Sequence, residues 1–259
     1  MKSDIVLCLK LNTEQWIRKL NEGSICFNRV GYFIEKAEGG VEDDQGDRFE
    51  GVFARLPQSD PRIDEYRNSL GDDLEIIDDN SHVFLRRKSV KRIPIFCIFG
   101  LKKEDLKCEN EPVLCEDGQL HVKVKYFIPE KMNKRLLGAE TCSEDIWGFY
   151  TSSDHFLSEV DRILDDNKLE YDKQIVSYDI DLNQEFELPL DDSYSELFHK
   201  RNDHDYQHEI RYILPTSPTD DKYVFTAKSL SGHSSGIAKG KVDYLEMNII
   251  VEALNDTTV

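Results

Sequence analysis

The sequence predicts an α+β fold, mostly antiparallel sheet with flanking helices, and three patterns in it point there. Short runs alternate apolar and polar residues with period 2, as half-buried strands do. In Phe198–Leu214, FHKRNDHDYQHEIRYIL, this puts Ile210, Tyr212 and Leu214 on one strand face and Gln207, Glu209 and Arg211 on the other. A second pattern is helical: Phe156, Leu157, Val160, Ile163 and Leu164 fall at i, i+1, i+4, i+7 and i+8, a core-facing stripe. The third is the turn dipeptide Asp117-Gly118, which joins Val113–Glu116 to Leu120–Ile128 as a hairpin.

The remaining elements follow in order along the chain. Asp4–Leu11 is an apolar strand. Asn12 or Thr13 caps a short helix with Trp16, Ile17 and Leu20 on its apolar face, and Gly23 ends it by accepting a left-handed backbone. Ser24–Phe27 begins a second strand. Asn28–Gly51, carrying Gly31, Gly39, Gly40 and Gly46, reads as a loop able to approach a ligand closely. Asp60–Asn80 is polar and turn-rich and reads as surface covering. Val83–Leu85 and Ile93–Phe99 read as strands, with Pro94 suited to a strand start or edge. Trp147, Phe149 and Tyr150 form an aromatic cluster ahead of the striped helix, which Ser152 or Ser153 caps. Ile175–Ile180 and Phe186–Leu188 add strand, and Tyr223–Leu230 and Val242–Ala253 add strand or short helix. The Ser-rich stretch SLSGHSSGIAKG, with Gly232 and Gly236, reads as a flexible loop. The glycine signatures of phosphate-binding loops and dinucleotide folds are missing, and no internal repeat is present.

Composition bounds the function classes. The 259 residues give ample length for a core and are read as one domain, 1–259, and an aromatic content of 10% argues for a folded chain. A net charge of −18 repels nucleic acid at long range and favours a basic partner or solubility. One stretch runs against this: Arg86, Arg87, Lys88, Lys91 and Arg92, either a basic turn between two strands or a phosphate-facing patch. No apolar run approaches the roughly 20 residues of a spanning helix. The opening MKSDIVLCLKLN has no small-residue cleavage site, so no membrane partner and a cytoplasmic location are expected. Cys8, Cys26 and Cys97 lie in apolar runs and read as small buried hydrophobes, while Cys108, Cys115 and Cys142 lie in polar ones. Their spacing is not that of a zinc site, and Glu42, Asp43 and Asp44 lack calcium-loop spacing, so no metal is expected.

An amide, a carboxylate and a guanidinium on one surface, beside aromatic Tyr206, suit an enzyme that grips a ribose. The plain alternative is the wet face of an edge strand. His204 and His208 flank the motif without a serine or cysteine at a nucleophile elbow, which leaves a triad hydrolase with little support.

Gln207-x-Glu209 resembles the Gln-x-Glu signature of ADP-ribosyltransferases. The wider block Phe198, Lys200, Tyr206, Gln207, Glu209 and Arg211, with Gly46-Asp47-Arg48-Phe49-Glu50-Gly51, resembles a family of uncharacterised bacterial proteins. That family is itself similar to a divergent, phage-defence or toxin-associated branch of the transferase fold. The resemblance implies a split β-sheet core and NAD as the substrate that donates ADP-ribose. It implies Glu209 as the carboxylate that stabilises an oxocarbenium-like state and Gln207 as the group that orients the acceptor. Tyr206 with Tyr32 or Phe33 would clamp nicotinamide, and Arg29 and Lys10 would steady the phosphates. Lys10 is the position where the family's first strand offers its cationic or imidazole side chain. Arg211 would hold Glu209 and keep it ionised. The implied partners are a nucleic-acid or protein acceptor and an antitoxin or chaperone. The rival reading keeps the fold but not the catalysis: an acidic interaction module for a basic protein partner.

Overall fold

The computed structural model describes residues 4–39, 46–116, 118–130, 145–227, 230, 235–241 and 243–251. Glu42, Asp43, Asp44, Asp117, Cys142, Gly40 and Gly232, together with Glu252 and Ala253, lie outside the described residues.

The order begins with strand β1 (Ile5–Asn12), helix α1 (Glu14–Asn21), β2 (Ser24–Arg29), α2 (Val30–Glu38), β3 (Val52–Pro57) and α3 (Arg62–Leu70). It continues with β4 (Leu74–Asp79), β5 (His82–Arg87), β6 (Pro94–Lys102), β7 (Leu106–Cys108), β8 (Val113–Leu114) and β9 (Leu120–Phe127). Then come β10 (Asp145–Ser152), α4 (Ser153–Asp166), β11 (Asp172–Ile175), β12 (Ser177–Ile180) and β13 (Phe186–Glu187). Last are β14 (His199–Arg201), β15 (Glu209–Ile213), β16 (Tyr223–Thr226), β17 (Ser235–Lys241) and β18 (Tyr244–Val251). This is a mixed α+β fold with few helices. Its described strand pairs are antiparallel, with β12 and β14 the parallel exception. Among the described residues no helix is long and apolar enough to cross a membrane.

The chain divides into two compact units: residues 1–25, 98–163 and 225–259 form one, and 26–97 with 164–224 form the other. In the first unit β1 sits between β10 and the Ile98–Lys102 part of β6, with Leu9 opposite both Tyr150 and Phe99. The sheet continues through β17, β18 and β9 to β7. The hairpin around Gly118 forms as β8 on β9, with Leu114 opposite Leu120 and Gly118 at φ 78°. Helix α1 buries Ile17 and Leu20 and leaves Trp16 half-exposed, where Lys19 lies 4.5 Å over its ring. Phe156, Val160 and Ile163 of α4 are buried, and Phe156 packs 5.9 Å from Phe149 of β10. Ser153 at its start donates to the Ile5 carbonyl on β1 at 2.9 Å.

The second unit holds β11–β15 beside the Pro94–Cys97 part of β6, the sheet β13–β3–β5–β4, and the parallel pair β12–β14. Two apolar clusters support them. Val30, Ile34, Val90, Ile93, Leu197 and Ile213 form one, and Phe53, Leu56, Ile63, Leu74 and Leu85 are in the other.

Three sequence expectations change here. Asn28–Gly51 is not a loop throughout, because Val30–Glu38 is helical and buries Val30, Gly31 and Ile34. Asp60–Asn80 is not mere covering; it contains α3 and β4, and α3 anchors through Ile63 with Tyr66 and Leu70 packed behind it. The end of the Ser-rich stretch is strand β17, whose Gly236 faces Tyr150 across the pair. A Cβ on Gly236 would stand 2.7 Å from the Tyr150 hydroxyl, so the small residue follows from close strand packing, not from flexibility.

Candidate functional site

Of the residues singled out by sequence, Gln207, Glu209 and Arg211 meet in the second unit, in a buried ionic cluster with Lys200 and Glu50. Its base is β15, where all five residues are buried. Glu209 and Arg211, two apart on a strand, point the same way, and Arg211 Nε donates to Glu209 Oε1 at 2.7 Å. The alternative of a wet edge-strand face does not hold: the Glu209 side chain is 4% exposed and that of Arg211 1%.

Gln207 arrives differently. Residues Asn202–Gln207 form a 3-10 segment, and His208 takes a left-handed backbone at φ 41° before the strand begins. Strand alternation therefore does not carry Gln207 to the face of Glu209. Lys200 on β14 joins them instead: its Nζ donates to Gln207 Oε1 at 3.1 Å and to Glu209 Oε2 at 2.7 Å. Parallel pairing with β14 also brings β12 alongside, and the Tyr178 hydroxyl accepts the Glu209 backbone N–H at 3.1 Å.

A second carboxylate enters from the turn Asp47–Gly51. Asp47 Oδ1 accepts the Phe49 N–H at 2.9 Å, which tightens the turn locally. Buried Arg86 then pins it, with Nη1 donating to the carbonyls of Arg48 and Glu50 at 3.0 and 3.2 Å. Gly51 leaves the turn at φ 71°, and a Cβ there would stand 2.5 Å from Val90 Cγ1, so no larger residue fits. Glu50 is thus delivered inward: Oε1 receives Arg211 Nη1 at 2.5 Å, and Oε2 lies 4.0 Å from Lys200 Nζ. Arg211 also donates to the Leu197 carbonyl. Asp47 Oδ2 faces Arg201 Nε at 3.5 Å, and Arg201 Nη2 meets His204 Nε2 at 2.5 Å. Because a guanidinium only donates, His204 accepts at Nε2 and carries its proton on Nδ1.

Asp47, Glu50 and Glu209 therefore face Lys200, Arg201 and Arg211, three charges against three. Burial alone would raise the Glu209 carboxyl, but Arg211 and Lys200 outweigh it and hold the group far below the usual carboxylate range. Cys97 donates to the same carboxylate and adds to this lowering. Lys200 resists its own burial through Glu209 and Glu50 and stays protonated well above the usual ammonium value. Burial raises the Asp47 carboxyl, against the pull of Arg201. The Tyr178 phenol is pushed up by burial and by the Glu209 charge.

The other expected ligand contacts are placed separately. Arg29, at the end of β2, is bound to both Glu35 oxygens at 2.9 Å and to the Asp220 carbonyl at 3.1 Å. Tyr32 is exposed on α2, edge-on to Phe33 at 5.2 Å, and Phe33 packs on the apolar cluster of Val30 and Ile34. Tyr206 is half-buried with its ring 6.2 Å from His204. Lys10 belongs to the first unit, on β1 opposite Phe149.

The basic stretch runs from the end of β5 into the turn before β6, and each of its cations has a partner within the second unit. Arg86 and Lys91 share Glu75, Arg87 binds Glu196, Lys88 donates to the Asp72 carbonyl, and Arg92 pairs with Asp220. Cys8 is buried, Cys26 and Cys97 are half-buried, and Cys108 and Cys115 are exposed free thiols. Among the described residues no group of three or more histidine, cysteine or acidic side chains could hold a metal ion. In comparisons with known proteins, no family model, no curated protein and no solved structure matches this chain.

Proposed function

We propose that this chain is a NAD-dependent mono-ADP-ribosyltransferase of divergent split-sheet type, a cytoplasmic toxin-like or defence effector acting on a nucleic-acid or protein acceptor. The observation that carries the reading is the Glu209 carboxylate, held ionised in a nearly dry setting and tied by Lys200 to the Gln207 amide. A fixed negative charge in a low-dielectric site suits a reaction whose transition state gathers positive charge on a ribose. In that reaction the nicotinamide–C1′ bond breaks and its electron pair leaves with nicotinamide. An acceptor lone pair then forms the new bond to C1′, and the acceptor proton passes to solvent. Glu209 would hold a ribose hydroxyl, Gln207 would orient the acceptor, and Arg29, Tyr32 and Tyr206 would serve the rest of the dinucleotide. Glu209 Oε2 accepts from Lys200 and, with two lone pairs, would also accept the ribose hydroxyl. An antitoxin or chaperone would keep such an enzyme silent.

A second reading has its own support. Both Glu209 oxygens are already engaged and the side chain is 4% exposed, as in a purely structural pin. This favours a non-catalytic module whose acidic surface binds a basic protein. Purified protein incubated with NAD labelled in the adenylate and a cell extract separates the two. Transfer that is lost in Glu209→Gln, with the variant's circular dichroism unchanged, supports the transferase, and nuclease sensitivity of the product identifies a nucleic-acid acceptor. No transfer, together with no NAD binding by calorimetry, leaves the interaction module.

A further inference from the structure

Lys200 is the residue that makes a pair out of Gln207 and Glu209, since the left-handed turn at His208 breaks the alternation that would otherwise align them. We infer that Lys200 is a positioning residue: its ammonium fixes which way the Gln207 amide faces while it holds Glu209 in place. The inference rests on the transferase reading for its catalytic consequence, but its structural part stands alone. Two donors of Lys200 are spent on Gln207 Oε1 and Glu209 Oε2. A cation beside the amide requires the oxygen, not the NH2, to face it. The NH2 of Gln207 is thereby directed away from Lys200, in a side chain whose residue is only 3% exposed. Arg211 spends its Nη1 on Glu50 and the Leu197 carbonyl and its Nε on Glu209 Oε1. Without Lys200 the amide would lose the charge that selects one of its two orientations.

The group is a positioning residue in that it acts through Gln207 and Glu209, and this gives it a distinct signature. In Lys200→Met, which keeps an unbranched apolar stem, the KM for NAD should change by less than about threefold while kcat falls on the order of 10²-fold, the usual cost of a misplaced group. Lys200→Arg, which keeps the charge, should recover at least tenfold of that loss. A parallel measurement needs no activity: the side-chain NH2 resonances of Gln207, assigned by their disappearance in Gln207→Glu, followed by nuclear magnetic resonance in wild type, Lys200→Met and Lys200→Arg. One sharp pair in wild type and Lys200→Arg, shifted or exchange-broadened in Lys200→Met, supports the inference. An unchanged Gln207 pair in folded Lys200→Met overturns it, as does a loss carried entirely by KM. If wild type transfers no label, the functional proposal fails, and the resonances still decide the role of Lys200. Should Lys200→Met not fold, the Lys200→Arg spectra decide: a Gln207 pair that is broadened although Glu209 is still paired overturns the inference.

Discussion

The two units solve the problem of an interior in opposite ways. Among the described residues, the buried polar groups of the first unit are Thr151 and Ser153, both neutral and both hydrogen-bonded. The second unit buries Asp47, Glu50, Arg55, Arg86, Arg87, Glu196, His204, Gln207, Glu209 and Arg211. Desolvating so many charges is unfavourable, and pairing them recovers at best part of the loss, so an apolar interior like that of the first unit would be at least as stable. A cluster of this kind is therefore better explained by what it positions than by stability. The first unit buries neutral polar groups, and the second buries charged ones.

This contrast can be broken by substitution. Arg211→Met should cost about 3–5 kcal/mol, because Glu50 and Glu209 would be left buried with Lys200 as their remaining common cation. Ser153→Ala in the first unit removes one neutral hydrogen bond and should cost about 1 kcal/mol. Urea denaturation of the two variants beside wild type compares them directly, and similar losses would mean that the cluster is not an energetic unit.

Acid sharpens the comparison. The folded-state pKa of Glu209 lies below its ordinary value of 4.5, so the folded protein binds fewer protons there than the unfolded chain. Its contribution is complete above that value and is lost as pH falls below it. Asp47 and Glu196 are shifted upward by burial, which has the opposite sign: each favours folding more as pH falls through its raised value. In a series of denaturation midpoints from pH 6 to 3, the limb below about 4.5 should be steeper in wild type than in Glu209→Gln. Parallel limbs would show that Glu209 is not held ionised.

The smallest effect lies on the surface of the first unit. Arg18 and Glu14 form an exposed i,i+4 pair at 2.7 Å on α1. Glu14→Gln should shift stability by only a few tenths of a kcal/mol, and the shift should disappear in high salt. A loss near that of Arg211→Met would erase the distinction between paired charges inside and outside.

Legibility in the sequence followed the same division. β1, α1, α4 and the β8–β9 hairpin could be read because burial in the first unit is apolar and periodic, whereas β10 showed only as an aromatic cluster. In the second unit α2 was hidden: Arg29 at its N-cap makes no side-chain cap, and Gly31 within it suggests a loop. A sharper reading of α3 was available, since Asp60 ahead of it accepts the Arg62 N–H at 2.9 Å and Asp64 and Glu65 fill its first turn. The motif residues Glu209 and Arg211 were correctly paired, but a wet face stayed open as the alternative because no local pattern distinguishes a charge meant for water from one meant for Glu50, 161 positions away. The left-handed His208 carries no glycine or asparagine to announce it. Glu50 and Asp47 were within the Gly46–Gly51 block, yet their role depends on Arg86 and Val90, which spacing along the chain does not reveal. Tyr178 and Cys97 had no signal at all.

The turn between β5 and β6 bears on how the molecule meets its surroundings. Arg86 and Lys91 are paired with Glu75 and Arg87 with buried Glu196, while exposed Arg92 and Asp220 pair at the surface and Lys88 meets the uncharged Asp72 carbonyl, so most of the positive charge there is matched locally. To an approaching molecule the protein is a polyanion. Multivalent cations and polyamines should gather on it, and simple salts should quiet the repulsion among its own surface carboxylates while leaving the enclosed pairs nearly untouched.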